Sequence, residues 1–344
     1  MKIQSGLVTV IIINFSSGVH IERCIQAIEA QSYPQIEILV IDNGSTDGSL
    51  ALVQRMASEA RLRLFTGTNV GFAKANNLGI RESSGEFVLI LNADAFPRPD
   101  YIEKCVAAFR DDRVGAVIGK LVSAADTSII DSTGIYFYRE GVAIDRGFGE
   151  KDRGQYEKRE FVDGACGAAA MYSRAMLKDI RIGEEFYDEH FFAFMEDAEL
   201  SFRASTRGWR TLYIPDAVTL HVRGGSSQAL SEYIYFLNER NTRLFLRTSF
   251  VSVARTSDIL LQRALLFLRS AKMLWSLSRS YRQRLRRELV EIGSDISNRR
   301  KLMLPPEHPS VFVMNGRRSY LLETVARRIG IVLSGAIVFP QRNP

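Results

Sequence analysis

An acidic turn follows a strongly apolar run, and its residue types suit the binding of a cation. Residues 87–91 are all apolar, Asn92 and Asp94 come next, and two prolines within residues 96–100 end the run. Such a run is typical of a buried strand in a parallel sheet, whose carboxyl end faces the crevice where open α/β sheets bind ligands. We therefore predict that Asp94 holds a divalent cation, and that the substrate carries phosphate.

The elements that must position Asp94 follow from the hydrophobic pattern of the first hundred residues. Strand and helix alternate there, which predicts βαβ units and an α/β fold: a mostly parallel central sheet flanked by helices on both faces. The predicted strands are residues 7–13, 36–41, 62–66 and 87–91, and the predicted helices are residues 19–31, 47–59 and 72–82.

Two further polar turns fall in this half. Residues 41–49 leave the second strand through Asp42, Asn43 and two glycines, and residues 69–80 carry several amides, among them Asn76. One interpretation is structural: a strand-to-helix turn with a good cap, and amides satisfied inside the fold. The other is that these side chains face the crevice and bind a nucleotide or its phosphates. The GxGxxG fingerprint is absent from the sequence, which gives a nicotinamide enzyme little support.

Composition places the chain among ordinary globular enzymes. It has 344 residues, of which 46% are hydrophobic and 24% charged. The three cysteines are far apart and lack metal-type spacing, so we expect reduced core thiols. The sequence shows neither a signal-peptide pattern nor an apolar stretch of about 18 residues. We expect a cytoplasmic protein.

Four segments of the first half occur in an order typical of one enzyme family. They are residues 8–15, 41–48, 69–72 and 91–94. In this order they resemble glycosyltransferase family 2, which has the GT-A nucleotide-sugar-binding fold. The chain most resembles its bacterial rhamnosyltransferase-like branch, whose enzymes build surface polysaccharides such as lipopolysaccharide.

The resemblance implies a division of the chain into two regions. Residues 1–250 would form the GT-A glycosyltransferase domain. Within it, residues 1–100 would be the nucleotide-binding half and residues 101–250 the acceptor and catalytic half. Residues 251–344 lie beyond the resemblance, and their basic and apolar residues predict an amphipathic, helical C-terminal extension.

The resemblance also assigns roles to single residues. It implies that Asp42 contacts the nucleotide base, near Asn14, and that Asp94 is the last acid of a DxD-type motif that holds Mg²⁺ or Mn²⁺ against the diphosphate. Asn92 stands in place of the first acid, so a second metal ligand is needed. The expected nucleotide-sugar-binding residues are Asn14, Asp42, Asn43, Asn69, Gly71, Asn76, Asn92, Asp94 and Arg223.

Three acids within four residues begin a predicted helix in the second half: Glu196, Asp197 and Glu199. Acids at a helix N-terminus interact favourably with the macrodipole, which is a sufficient structural explanation. The segment also resembles the ED motif of the family, in which the second acid is the general base that takes the proton of a sugar hydroxyl. On this basis Asp197 is the expected catalytic base, and Glu196 orients the acceptor or helps to set the pKa of its neighbour.

A histidine and an arginine complete the expected site. A lone histidine is usually structural, but the resemblance implies that His221 binds the metal together with Asp94. Arg223 lies in a Gly/Ser-rich loop, and guanidinium groups bind diphosphate oxygens bidentately, so we expect it to meet the donor.

These roles together imply an inverting, metal-dependent glycosyltransferase. A sugar, with rhamnose from dTDP-rhamnose as the leading choice, would pass from a nucleotide-diphosphate donor to a glycan or lipid-linked acceptor. The alternative is a non-catalytic module that binds a nucleotide sugar or a glycan and whose metal site has decayed, as Asn92 suggests.

The formal net charge is +6, and the excess gathers after residue 250. Basic residues alternate there with apolar ones near helical spacing, which is typical of a helix that lies on anionic lipid at the cytoplasmic face of the inner membrane. Packing of this helix on the catalytic domain is the equal alternative. Residues 329–339 are apolar but too short to span a bilayer. No aromatic-basic recognition motif favours nucleic acid as a partner.

Overall fold

The computed structural model describes residues 2–59, 62–224, 231–249, 256–293 and 295. The strands are β1 (Gln4–Asn14), β2 (Ile36–Asp42), β3 (Leu62–Thr66), β4 (Gly85–Asn92), β5 (Ala95–Pro97), β6 (Val114–Ser123), β7 (Ile130–Ser132), β8 (Ile135–Phe137), β9 (Ala143–Asp145), β10 (Glu160–Val162), β11 (Ala169–Ser173) and β12 (Arg210–His221). The helices are α1 (His20–Glu29), α2 (Ser49–Glu59), α3 (Phe72–Glu82), α4 (Tyr101–Val106), α5 (Arg174–Asp179), α6 (Glu196–Thr206), α7 (Ser231–Thr248), α8 (Thr256–Ser276) and α9 (Arg279–Glu291).

The central sheet has the strand order β10-β12-β6-β11-β4-β1-β2-β3. The pairs β1/β2, β1/β4, β2/β3 and β6/β12 are parallel, whereas β11 is antiparallel to both β4 and β6. This confirms the predicted α/β fold with a mostly parallel sheet. The seven predicted elements are all present, with ends that differ by up to three residues.

The core lies between the sheet and the helices on its faces. Val10, Ile11 and Ile12 of β1 are fully buried, because a central strand is covered on both sides. Gly79 allows α3 to approach closely, since a Cβ there would lie 2.7 Å from the side chain of Ile11. The three cysteines are buried and free, as expected of core thiols.

The C-terminal extension is helical where it is described. Leu265 of α8 packs against Tyr138 and Val142, so one face of this helix contacts the first 250 residues. None of the helices in the described ranges has both the length and the apolar character needed to cross a membrane. Residues 251–255, 294 and 296–344 lie outside the described part, and with them the apolar run 329–339. The domain boundary at residue 250 stays a prediction.

Candidate active site

A cavity of about 550 Å³ opens at the carboxyl ends of β1, β2 and β4. It is lined from both halves of the chain, as the sequence predicts for a site of this fold. The predicted residues that line it are Asn43, Asn69, Gly71, Asn92, Asp94, Glu196, Asp197, His221 and Arg223.

Strand pairing brings Asp94 and His221 together. Asp94 lies in the turn between β4 and β5, and β5 pairs with the end of β12, so that Ala95 is opposite His221. The backbone N–H of Val222 donates to the carbonyl oxygen of Asp94 at 3.0 Å. His221 Nε2 consequently lies 3.2 Å from Asp94 Oδ1, which places the two predicted metal ligands side by side.

A second carboxylate, which the sequence did not indicate, holds the other side of the imidazole. Asp131 of β7 lies with its Oδ2 2.7 Å from His221 Nδ1, and both side chains are buried. Burial by itself would lower the pKa of His221, but Asp131 and Asp94 outweigh it and raise this pKa to about 9.

Arg223 continues this chain of charges. Its guanidinium lies 2.6 Å from Asp131 and 2.6 Å from Asp145 of β9, and it stacks 4.4 Å above the ring of Phe148. Arg223 is therefore held on the β8/β9 hairpin while it lines the cavity. Contact of Arg223 with a diphosphate stays a prediction.

Asp197 is oriented by two backbone donors. The N–H of Gly167 donates to Oδ2 at 2.8 Å, and the N–H of Ala198 donates to Oδ1 at 2.7 Å. Burial is the largest influence on this carboxyl; together with the charge of Asp145 it outweighs the two donors and raises the pKa of Asp197. Such a carboxylate is a stronger proton acceptor than an exposed aspartate.

Glu196 lies in a different environment from its neighbour. It is buried, and its Oε2 has no hydrogen-bond partner among the described residues. Burial, followed by the charge of Asp197, raises the pKa of Glu196. A carboxyl group with a raised pKa can take up or release a proton near neutral pH, which suits acid–base catalysis. Because the two carboxyls have different surroundings, one can be protonated while the other is ionised.

The predicted nucleotide end is a network of amides and carboxylates. Asn14 is adjacent to Asp42 across β1 and β2, and its Nδ2 donates to Asp42 Oδ1 at 2.7 Å. The backbone N–H groups of Gly44 and Ser45 both donate to Asp42 Oδ2 at 3.2 Å. Asn14 and Asp42 thus lie buried beneath the residues that line the cavity, and their contact with a nucleotide stays a prediction.

The amides at the cavity wall stabilise two loops against each other. Asn43 Nδ2 donates to Asn69 Oδ1 at 3.1 Å, and Asn43 Oδ1 accepts from Val70 N at 2.9 Å. Asn76 differs: it is fully buried in α3, does not line the cavity, and donates to the carbonyl of Phe72 at 2.9 Å. Its Oδ1 is buried without a hydrogen-bond partner among the described residues, and contact of Asn76 with a nucleotide stays a prediction.

The donor set at Asp94 and His221 fits a divalent cation that the fold family implies. A cation bound there would replace the Nε2 proton of His221; Asp131 would then accept the Nδ1 proton of the neutral imidazole, and Nε2 would be a ligand atom next to the Asp94 carboxylate. His221 Nε2 is also a buried atom without a well-aligned hydrogen bond to a described residue. Within the described ranges no cluster of three metal-type side chains occurs. Mg²⁺ commonly takes one or two protein ligands and completes its shell with phosphate oxygens and water.

Comparisons with known proteins identify the family of the chain. The profile of Glycosyl transferase family 2 matches residues 9–181. An N-acetylglucosaminyltransferase of Bradyrhizobium diazoefficiens is 30% identical over 214 residues, which are 58% of this chain and 41% of the relative. The N-acetylglucosaminyl-diphospho-decaprenol L-rhamnosyltransferase of Mycobacterium tuberculosis is 28% identical over 257 residues, 65% of this chain and 78% of that protein. The chain spans less than half the length of the N-acetylglucosaminyltransferases from Bradyrhizobium diazoefficiens and Rhizobium meliloti that it matches.

Solved structures show the same fold. GalNAc-T7, crystallised with UDP, GalNAc and Mn²⁺, superposes with a TM-score of 0.57 at 16% identity, over 89% of this chain and 60% of that one. Residues 1–349 of Staphylococcus aureus TarS give a TM-score of 0.51 at 17% identity, over 98% of each chain.

Proposed function

The chain belongs to glycosyltransferase family 2, and we propose that within this family it is an inverting, metal-dependent enzyme of cell-surface polysaccharide synthesis. The donor would be a nucleotide-diphosphate sugar, and the acceptor a glycan or a lipid-linked sugar. The observation that carries the proposal is that Asp94 and His221 line the same cavity as Glu196 and Asp197.

The proposed reaction is a single displacement. An acceptor hydroxyl lies against Asp197, whose carboxylate takes the proton as the oxygen attacks the anomeric carbon. The bond from that carbon to the diphosphate oxygen breaks, and the nucleoside diphosphate leaves with the electron pair. Because attack comes from the face opposite the leaving group, the configuration inverts. Glu196, next to the base, is in position to orient the acceptor.

Asp94 and His221 would hold the Mg²⁺ or Mn²⁺, with Asp131 fixing the imidazole. The ion, when bound, would neutralise charge on the diphosphate leaving group. Arg223 lines the cavity and is fixed by its ion pair with Asp131, so it would add a positive charge beside the diphosphate.

The name of one relative supports the finer choice of substrates, and the name of another gives the competing choice. The mycobacterial relative is a rhamnosyltransferase whose name specifies an N-acetylglucosaminyl-diphospho-decaprenol acceptor. We propose dTDP-rhamnose as the donor and N-acetylglucosamine on a polyprenyl diphosphate as the acceptor. An N-acetylglucosaminyl donor, as in the rhizobial relatives, is the competing choice.

A lipid-linked acceptor would require contact with the membrane surface, and α8 offers an apolar face for it. Leu260, Phe267 and Leu268 are 62%, 74% and 53% exposed, at helical spacing, whereas Leu265 faces inward. Arg263 lies within this exposed face, and residues 259–269 contain no acid. An apolar stripe with basic neighbours suits a surface of anionic lipid.

A transfer assay tests the proposed function. Purified protein is incubated with dTDP-rhamnose or UDP-N-acetylglucosamine, an octyl N-acetylglucosaminide acceptor, and Mg²⁺ or Mn²⁺. We expect release of nucleoside diphosphate in equal amount to the disaccharide, and only when acceptor and metal are both present. Binding of the nucleotide sugar, seen as a raised melting temperature, without any transfer would instead identify a non-catalytic binding module.

A further inference from the structure

The segment that leads into Glu196 and Asp197 has a strained backbone. Phe192, Phe194 and Met195 have φ values of 60°, 71° and 66°. Residues with side chains rarely adopt such angles, and they persist only where the surrounding structure enforces them. Three of them lie within four residues, directly before Glu196 and Asp197, so contacts from neighbouring segments must stabilise this turn against the strain.

The turn is held from one side by Asn241 of α7. This side chain is fully buried, and the two N–H groups of its Nδ2 are shared among three acceptors: the carbonyl oxygens of Phe191, Ala193 and Phe194, at 2.8, 2.8 and 2.7 Å. Its Oδ1 accepts from Arg240 Nη1 at 2.8 Å, which fixes the orientation of the amide.

The start of α3 holds the turn from the other side. The N–H of Ala73 donates to the carbonyl oxygen of Phe192 at 3.0 Å. Gly71 lies directly under Phe192, since a Cβ at position 71 would meet Phe192 Cδ2 at 2.5 Å. The predicted donor-binding segment is thus in contact with the segment that precedes the base.

The three strained residues differ in what their side chains do. All three border the cavity, but Phe192 is half-buried against the apolar cluster of α7 and α9, and Met195 is half-buried against a second cluster. Phe194 is 38% exposed and lines the cavity. Phe194 therefore presents the most exposed of these three side chains to the cavity, three residues before Asp197.

We propose that Phe194 is the stacking platform for the acceptor sugar, and that Asn241 is a positioning residue which holds this platform in the cavity. The proposal rests on the proposed function, and it assigns a pyranose ring as the ligand. The flat C–H face of a pyranose ring packs on an aromatic ring, and stacking fixes the orientation of the sugar. A sugar fixed there would present a hydroxyl to Asp197, the arrangement that makes proton transfer efficient.

Glycoside binding tests the platform without depending on turnover. Saturation-transfer NMR titrations use methyl N-acetyl-β-glucosaminide and methyl α-rhamnoside as probes, with dTDP and Mg²⁺ present. We expect Phe194→Leu to weaken the binding of at least one probe about 2- to 10-fold, and Phe194→Tyr to restore it. The matched control is Phe161→Leu, because Phe161 is 39% exposed but does not line the cavity.

The positioning role has its own readout. Asn241→Ala should weaken the binding of the probe to the same extent as Phe194→Leu, provided that a melting transition shows the variant to be folded. Should Asn241→Ala fail to fold, the Phe194 variants decide the proposal alone. Absence of probe binding to the unmodified protein, or equal binding by Phe194→Leu, would overturn the platform. Loss of affinity in Phe194→Leu but unaltered affinity in folded Asn241→Ala would overturn the positioning role.

The same samples separate this proposal from the proposed function. If the unmodified protein binds the probes through Phe194 but never transfers sugar from a nucleotide donor, the transferase proposal fails and the platform stands. If transfer proceeds while Phe194→Leu binds the probes normally, the platform fails and the transferase stands.

Discussion

Replacement of Asp197 by asparagine changes the proposed base and little else around it. The asparagine side chain has the same shape, and its one oxygen keeps the hydrogen bond from either Gly167 N (2.8 Å) or Ala198 N (2.7 Å). The other donor then faces an amide nitrogen and loses its partner. We therefore expect a folded protein in which the acceptor hydroxyl has no base.

The expected size of the two effects separates them. A buried donor left without its partner costs about 1–3 kcal/mol of the free energy of unfolding. Because burial disfavours the charged form of Asp197 and raises its pKa, replacing the carboxylate with a neutral amide offsets part of that cost. Loss of a general base slows the reaction about 10²- to 10⁴-fold, or about 3–5 kcal/mol on the barrier. Unfolding therefore does not account for the loss of rate.

The assay follows the initial rate of nucleoside diphosphate release with saturating donor, acceptor and metal, and calorimetry gives the donor affinity. Asp197→Asn should lose the rate and retain the donor affinity. The control is Asp216→Asn, because the side chain of Asp216 is 65% exposed on β12 and outside the cavity. A normal rate in Asp197→Asn would refute the assignment of the base, and an equal loss in both variants would refute its specificity.

Three further predictions test other parts of the site. The rate should rise with pH as Asp197 ionises, and the midpoint should lie above the usual pKa of an aspartate (about 3.9) because burial raises the pKa of Asp197. Asp145→Asn removes a neighbouring negative charge, so it should move this midpoint to lower pH. An unmoved midpoint would contradict the assigned cause. Asp131→Asn should raise the Mn²⁺ concentration that gives half the maximal rate about 10- to 100-fold, because the imidazole loses its orienting carboxylate. An unchanged Mn²⁺ titration would argue against a metal at this histidine. Phe267→Ser should reduce cosedimentation with vesicles of anionic lipid, whereas Val19→Ser, at the same 74% exposure, should not; equal binding by both variants would contradict a membrane role for α8.

The alternating elements of the first half follow from the sequence because each is long enough to show its period. Strands of five to eleven residues and helices of ten or eleven leave a clear hydrophobic pattern. The sequence left open whether the turn after the second strand faces the crevice, and in the structure Asn43 of that turn lines the same cavity as Asn92 and Asp94. The approach of His221 to Asp94 was implied only by the family resemblance.

The acids of the β7 to β9 region could not be found in the same way. Asp131 and Asp145 lie in strands of three residues, which are too short for any periodic signal. Their roles depend on pairing with distant strands, since β7 reaches His221 only through β6 and β12. Asn241 is likewise invisible as a site residue, because in the sequence it is one polar position within a long amphipathic helix.

A crystal structure with dTDP and Mn²⁺ tests the central claim most directly, since it locates the metal, the diphosphate and the base in one experiment. The account predicts an anomalous Mn²⁺ peak bonded to Asp94 and His221, with the diphosphate on the same ion and the carboxylate of Asp197 facing the vacant sugar position. Manganese at another place, or a nucleotide outside the cavity that these residues share, would contradict it.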